Sequence, residues 1–388
     1  MIDINLIREN PDFVKENIKK KFQKHKFEIV DKIAKIDVEW RNYHTRIDKL
    51  RHERNKISKE IAELKKQKKS VDKLMEMAKE IPKKIEETEY KSGVLKEEID
   101  KLLKKIPNII HESVPIGRDS SQNVEIKKIG KPKVFSFKPK THIEIAESLG
   151  IADFETAAKT SGSGFYYLLG DLALLNAALI NFARDYMIEK KYLYVETPLV
   201  IRKKILDGVY SSSEIEQMSY KLEGEDSYLI ATSEHSLIGM FIDSVLQRKE
   251  LPRKLTSYSM CFRKEVGSHG INEKGLFRTH QFNKVEMVVI CHPNESYKLY
   301  EEMLDHSLEI YKQLEIPTRV LECCSGDLGD LKAKSCDVEF WSPVEEQYKE
   351  IGSLTNRNQI ALAVTYRNAK KKMEAKFVVE EISPYSIP

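Results

Sequence analysis

"CFRKEVGSHGINEKGLFRTHQFNKVEM", residues 261–287, is the stretch on which the reading of this chain turns. Apolar alternation runs into it through "YSMCF" and out of it through "FNKVEMVVI", which predicts two strands joined by a long loop. Arg263 and Arg278 stand fifteen residues apart, one near each strand. A hairpin that carries two arginines and several further charges into a sheet has work to do besides packing. Arginine offers a permanent charge and a planar fork of donors that suits phosphate and carboxylate. Glu234, Glu265, Glu286 and Glu350 fall at predicted strand ends and are expected to converge on one sheet face. Carboxylates beside arginines can hold an ammonium group, an adenine amino group or magnesium on phosphate.

The surroundings exclude several chemistries. The chain has neither GxxxxGK[ST] nor GxGxxG after a strand, and no nucleophile elbow, so phosphate handling must fall to side-chain cations and a metal. Five cysteines, Cys261, Cys291, Cys323, Cys324 and Cys336, form no CxxC pair, which argues against a disulfide framework or a zinc knuckle. With no apolar run of spanning length and no signal-peptide core, a soluble cytoplasmic protein with no membrane partner is predicted.

Outward from the hairpin, residues 171–190 read as an amphipathic helix and "YLYVETPLVI" as a strand stopped near Pro198. Further strands are predicted at "YLIATSE", "LTSYSMCF", "TRVLECC", "SCDVEFWS" and "YKEIGSL". Helices alternate with antiparallel hairpins rather than in a βαβ rhythm, so the class is α+β.

The N-terminal part is different in texture. Residues 1–110 hold 29 Lys+Arg against 21 Asp+Glu, whereas the rest holds 36 against 40, so the basic side faces a polyanion. Ile29, Ile33, Ile36, Trp40, Tyr43, Ile47, Leu50, Arg54, Ile57, Ile61 and Leu64 follow steps of four and three. A second such series runs from Val71 to Ile106. Two seams separated by "KKQKKSVDK" predict an antiparallel coiled-coil hairpin with arms of about 35 residues, roughly 50 Å each. Pro82 is expected to kink the returning helix. Asn10-Pro11 marks a helix start ahead of the hairpin. Between Arg51 and Lys69 lie eight Lys or Arg and three Glu, a basic tip fit for phosphate contacts.

The order of these pieces resembles a known family. "FRKE", a glycine-bearing loop and "GLFRTHQFNKVEM" resemble the second signature motif of class II aminoacyl-tRNA synthetases. With "TSGSGFYYLLGDLALLNAALINF", "VETPLVI", "YKLEGEDSYLIATSEHSL", "SGDLGDLKAKSCDVEFWSP", "YKEIGS" and the helical hairpin, the chain is similar to the seryl-tRNA synthetase family. The resemblance implies a tRNA-binding helical arm over 1–110, a linker over 111–140 and a catalytic domain over 141–388 built on an antiparallel sheet flanked by helices. It implies ATP and Mg²⁺, serine and a serine-accepting tRNA with a long variable arm, and a homodimer joined through the first motif.

By motif position, Arg263 would hold the α-phosphate, Phe282 would stack on adenine, Glu265 would face its amino group, and Arg278 would reach the terminal phosphates. Lys264, Glu350, Ile351, Gly352 and Ser353 complete the implied ATP site, with Glu350 and Ser353 also on the metal. Thr232, Ser233, Glu234, Arg263 and Glu286 match the serine-binding positions. Arg51, Arg54, Lys65, Lys66, Lys68 and Lys69 would contact tRNA. The resemblance ends near residue 353, and beyond Asn356 the third motif and its arginine have no counterpart. That departure predicts a missing central strand and adenylate formation slowed at least ~10²-fold. A catalytically impaired relative that keeps tRNA or partner binding is the alternative.

Overall fold

The computed structural model describes residues 2–210, 212–242, 244–265, 275–357, 365–368, 371–374 and 376–382. It separates into two compact units, Met1–Pro107 and Asn108–Pro388.

The first unit is helical. Asp3 caps helix α1 (Ile4–Glu9) and Asn10 caps α2 (Pro11–Lys20), where Pro11 fills a first-turn position whose missing N–H costs nothing. Helix α3 (Phe27–Lys66) and helix α4 (Asp72–Leu103) form the hairpin, 40 and 32 residues long, about 60 and 48 Å at helical rise. Ile33, Ile36, Ile47 and Ile57 of the first seam are buried, but the seam opens at Val30 rather than Ile29. Thr88 and Ser92 are buried in the second seam, where narrow side chains let the helices close up. Helix α4 runs on through Pro82 as one element. Arg8 and Arg41 both hold the buried Asp37, fastening α1 to the base of α3.

The second unit is built on one sheet. Its strands are β1 (Val124–Ile129), β2 (Leu193–Tyr194), β3 (Arg253–Phe262), β4 (Gln281–Cys291), β5 (Thr318–Glu322), β6 (Lys334–Ser342), β7 (Gln347–Arg357) and β8 (Lys376–Ile382). Their order is β1-β5-β6-β7-β8-β4-β3-β2, antiparallel throughout except for β2 beside β3. The missing central strand is therefore a corrected expectation: β8 sits mid-sheet, pairing with β7 on one side and β4 on the other. Residues 111–140, read from the sequence as a connection, include the edge strand β1.

Helix α5 (Gly170–Glu189) matches its predicted span. The strand predicted at 192–201 shrinks to β2, because the chain leaves the ladder after Val195 donates to Thr256 and Pro198 has no N–H to continue it. "YLIATSE" also divides: Ser227–Leu229 pairs with Val200–Arg202, and then Thr232 caps helix α6 (Ser233–Gly239). On one face of the sheet, helix α7 (Ser296–Gln313) buries Tyr300, Met303, Leu304 and Leu308 against Met287, Val289, Val338, Phe340 and Leu354. On the other face Leu237 and Ile238 of α6 cover Leu255, Val288 and Ile290. The remaining part of that second face is polar.

Candidate active site

The β3–β4 register places the site. Cys261 pairs with Phe282, Ser259 with Lys284 and Ser257 with Glu286, so Phe282, Lys284 and Glu286 share one face at two-residue spacing. Residues 266–274 of the connecting loop lie outside the described residues. Arg263 follows β3, with its Nε donating to the Ala231 carbonyl at 3.3 Å and its guanidinium 5.1 Å from the Phe282 ring centre. Lys284 Nζ lies 5.6 Å from the centre of the same ring and 3.9 Å from Glu286, with the lysine and glutamate side chains both fully buried.

His280 braces the hairpin. Its backbone carbonyl accepts from Arg263 N at 3.0 Å, its ring stacks on Phe165, and its Nδ1 lies 2.6 Å from the Tyr220 hydroxyl. Gly164 makes this possible: at φ +82° a Cβ there would come within 2.3 Å of the imidazole.

Thr232 joins two elements. As the cap of α6 its hydroxyl accepts from Glu234 N at 3.2 Å, and it donates to Glu286 Oε2 at 2.5 Å. The Glu234 carboxylate lies 3.3 Å from Arg357 Nη2, each side chain about nine-tenths buried. Ser233 is buried in the first turn. Glu234 thus sits at a helix start, Glu286 and Glu350 lie within strands and Glu265 in a loop. The expected position at strand ends is corrected, because the helix cap ends the "YLI" strand early.

Burial pushes the His235 imidazole down to about 4, and Arg357, Lys284 and Arg263 push the same way against the pull of Glu234. Around this neutral histidine, Arg263, Lys284 and Arg357 meet the carboxylates of Glu234 and Glu286 among the described residues.

The outer ATP candidates are placed apart. Glu265, at φ +48°, is 3.2 Å from Arg278 Nη1, and that arginine is largely exposed. Lys264 is tied at both ends, its N–H to Met218 O at 2.9 Å and its Nζ to Glu216 O at 3.2 Å. Across β6 and β7 the ladder slips, so that Gly352 faces Val338 but Glu350 faces Glu339. That bulge at Ile351 turns Glu350 to the same polar side as Ser353, which faces Asp337. Ile351 instead packs in the core under α7, so only its backbone is available to a nucleotide.

A second oxygen-and-sulfur group, Cys323, Asp327 and Asp337, lies close together. Burial pushes the Cys323 thiol well up, so it stays protonated and donates to Asp337 Oδ2 at 3.6 Å. It reads as a hydrogen-bonded thiol. All five cysteines are buried thiols outside any disulfide.

In the helical unit, Arg54, Lys65, Lys66, Lys68 and Lys69 are exposed, and among the described residues none is ion-paired. Arg51 is engaged by Glu89 of α4 at 2.7 Å, which weakens it as a phosphate contact. Sequence reasoning missed Lys284, His280 and Arg357. The alternation from Ser353 through Thr355 was the one signal for Arg357.

Residues 1–110 match the family described as seryl-tRNA synthetase N-terminal domain, and residues 218–382 the tRNA synthetase class II core domain (G, H, P, S and T). The core match runs past Asn356, where the resemblance read from the sequence ended. The chain is 40% identical over 390 residues to the serine–tRNA ligase of Methanospirillum hungatei, covering all of this chain and 92% of that protein. The structure is similar to that of seryl-tRNA synthetase from Pyrococcus horikoshii complexed with ATP, at TM-score 0.91 and 40% identity, covering 100% of this chain and 92% of that one. It is also similar to cytoplasmic serine–tRNA ligase from Naegleria fowleri in complex with AMP, at TM-score 0.87 and 32% identity, with 100% and 91% covered. No helix among the described residues is long and apolar enough to cross a membrane.

Proposed function

We infer that this chain, which belongs to the seryl-tRNA synthetase family, ligates serine to its tRNA through a seryl-adenylate made from ATP. The observation that carries this reading is the shared polar face on which Arg263, Phe282, Lys284 and Glu286 meet Thr232, Glu234 and Arg357. Carboxylates there suit the ammonium group of an amino acid, and the cations suit its carboxylate and the α-phosphate beside it.

Activation needs no protein nucleophile. The serine carboxylate attacks the α-phosphorus in line, forming the acyl phosphate and releasing pyrophosphate. The terminal ribose hydroxyl of tRNA then takes the seryl group and AMP leaves. Positioning and charge neutralisation supply the rate. Arg263 holds the α-phosphate, with His280 and Tyr220 fixing the backbone on which it stands. Phe282 offers its face to adenine. Thr232 and Glu286 receive the serine ammonium and hydroxyl groups.

Magnesium fits Glu350 and Ser353, because an all-oxygen donor set on the polar face is what a hard cation takes. When bound it would neutralise phosphate charge. The basic tip from Lys65 to Lys69 binds the tRNA, along its long variable arm, through phosphates. Exposed Leu174, Leu175 and Leu193 of the second unit form part of a homodimer interface. The setting is the cytoplasm, where tRNA is charged.

Serine-dependent ATP–pyrophosphate exchange, followed by charging of serine tRNA, tests the assignment. Exchange driven better by threonine or proline than by serine would sink it. No observation favours an inactive relative.

A further inference from the structure

We propose that Arg357 is a second cationic contact for the α-carboxylate of the amino-acid substrate, a role that rests on the serine-activating reading above. Arg357 ends β7, on the same face as Ser353 and Thr355 by alternation. The ladder supports that face, since Thr355 Oγ1 lies 3.2 Å from Ser335 Oγ directly opposite.

Arg357 is only 8% exposed, and of its guanidinium nitrogens Nη2 alone is engaged, at 3.3 Å from Glu234 Oε1. Its Nε and Nη1 are shut off from solvent and have no hydrogen-bond partner among the described residues. A guanidinium cannot shed its proton, so buried N–H groups without acceptors are costly. A salt bridge serving only to hold Glu234 would use the donors that face it; the remaining donors call for another acceptor.

The location says which one. Glu234 lies one residue past Ser233 and is linked through the Thr232 cap to Glu286, the carboxylates that suit the substrate ammonium. In an α-amino acid a single carbon separates ammonium from carboxylate, so a cation beside the ammonium's partners also reaches the carboxylate. Arg263, tied to Ala231 O and stacked over Phe282, stands on the nucleotide side. Arg357 reaches in from β7, with β8 and β4 lying between it and β3, so the two arginines would grip the carboxylate from two directions and aim it at the α-phosphorus.

The test separates carboxylate binding from support of Glu234. Serine affinity is read from its KM in pyrophosphate exchange, and L-serinamide affinity from its Ki as competitor, in wild type, Arg357→Met and Arg357→Lys. Serinamide keeps the ammonium and hydroxyl groups but lacks the carboxylate. Arg357→Met is expected to weaken serine about 10–100-fold while changing serinamide less than about 3-fold, and Arg357→Lys to recover part of the loss. ATP affinity unchanged from wild type shows that the sheet is intact; if Arg357→Met loses it, the Arg357→Lys comparison of serine with serinamide decides. Equal weakening of both ligands would overturn the proposal and leave Arg357 as a support for Glu234. Wild-type protein with no serine-dependent exchange would instead defeat the functional reading itself.

Discussion

Replacing Thr232 by valine removes one hydroxyl and keeps the side chain's shape, so it isolates the bond that joins helix α6 to strand β4. Two interactions go with that hydroxyl: donation to Glu286 Oε2 at 2.5 Å and acceptance from Glu234 N at 3.2 Å. The first is charge-assisted and contributes about 1.5–3 kcal/mol; the second is a helix cap contributing about 0.5–2 kcal/mol. Thr232 and Glu286 are both fully buried, so water cannot replace either bond. The expected loss is about 3 kcal/mol in the second unit, or a urea midpoint lowered by about 1 M. Thr232→Ser keeps the hydroxyl and loses a methyl, which costs about 0.8 kcal/mol. The two units can unfold separately, so the probe must report on one of them. A Trp40→Phe background leaves Trp341, packed edge-on against Tyr348 at 5.1 Å, as the sole tryptophan. Urea titrations by Trp341 fluorescence then compare the two variants. A loss below about 1 kcal/mol for Thr232→Val, or equal losses for the serine and valine variants, would refute the reasoning.

Removing Lys65, Lys66, Lys68 and Lys69 together by alanine substitution should weaken tRNA binding and flatten its salt dependence by up to ~0.7–0.9 log units for each phosphate no longer neutralised; an unchanged slope would leave these lysines as a solvated face. Burial raises the Glu322 carboxyl from 4.5 to about 7, against the pull of Lys334. Its folded state therefore holds the proton more tightly than its unfolded state, so wild type loses stability as pH rises from about 4.5 to 7. Glu322→Gln is expected to match wild type at pH 4 and to exceed it above pH 7 by up to about 3 kcal/mol, read by thermal unfolding; a pH-independent difference would count against the buried carboxyl as the cause. Leu174→Asp with Leu175→Asp should shift sedimentation from dimer to monomer, and a dimer that persists would move the interface elsewhere.

Much of the site was written in short-range pattern. The two-residue alternation in "FNKVEM" puts Phe282 and Glu286 on one face whatever the sheet order, and glycine-bearing "FRKE…GLFRTHQF" announces a charged hairpin. Glu234 was found by motif but placed wrongly, since a strand end and a helix cap look alike in "IATSE" until Thr232 closes on Glu286. Arg357 was not found at all. Its partner lies 123 residues away, and the alternation from Ser353 through Thr355 gives its face but not that partner.

The sequence by itself determined the elements whose signal is local: the helical hairpin from its four-and-three spacing, the β3–β4 pair from its alternation, and the family from the order of motifs. Tertiary structure alone decided that Lys376–Ile382 enters the sheet between β7 and β4, and that Arg357 meets Glu234. The physical reason is the same in both cases. Side-chain periodicity records which face of an element is buried, whereas backbone ladders accept almost any residue. Strand order and buried ion pairs arise only when distant segments close on one another and the whole sheet satisfies its N–H and C=O groups together.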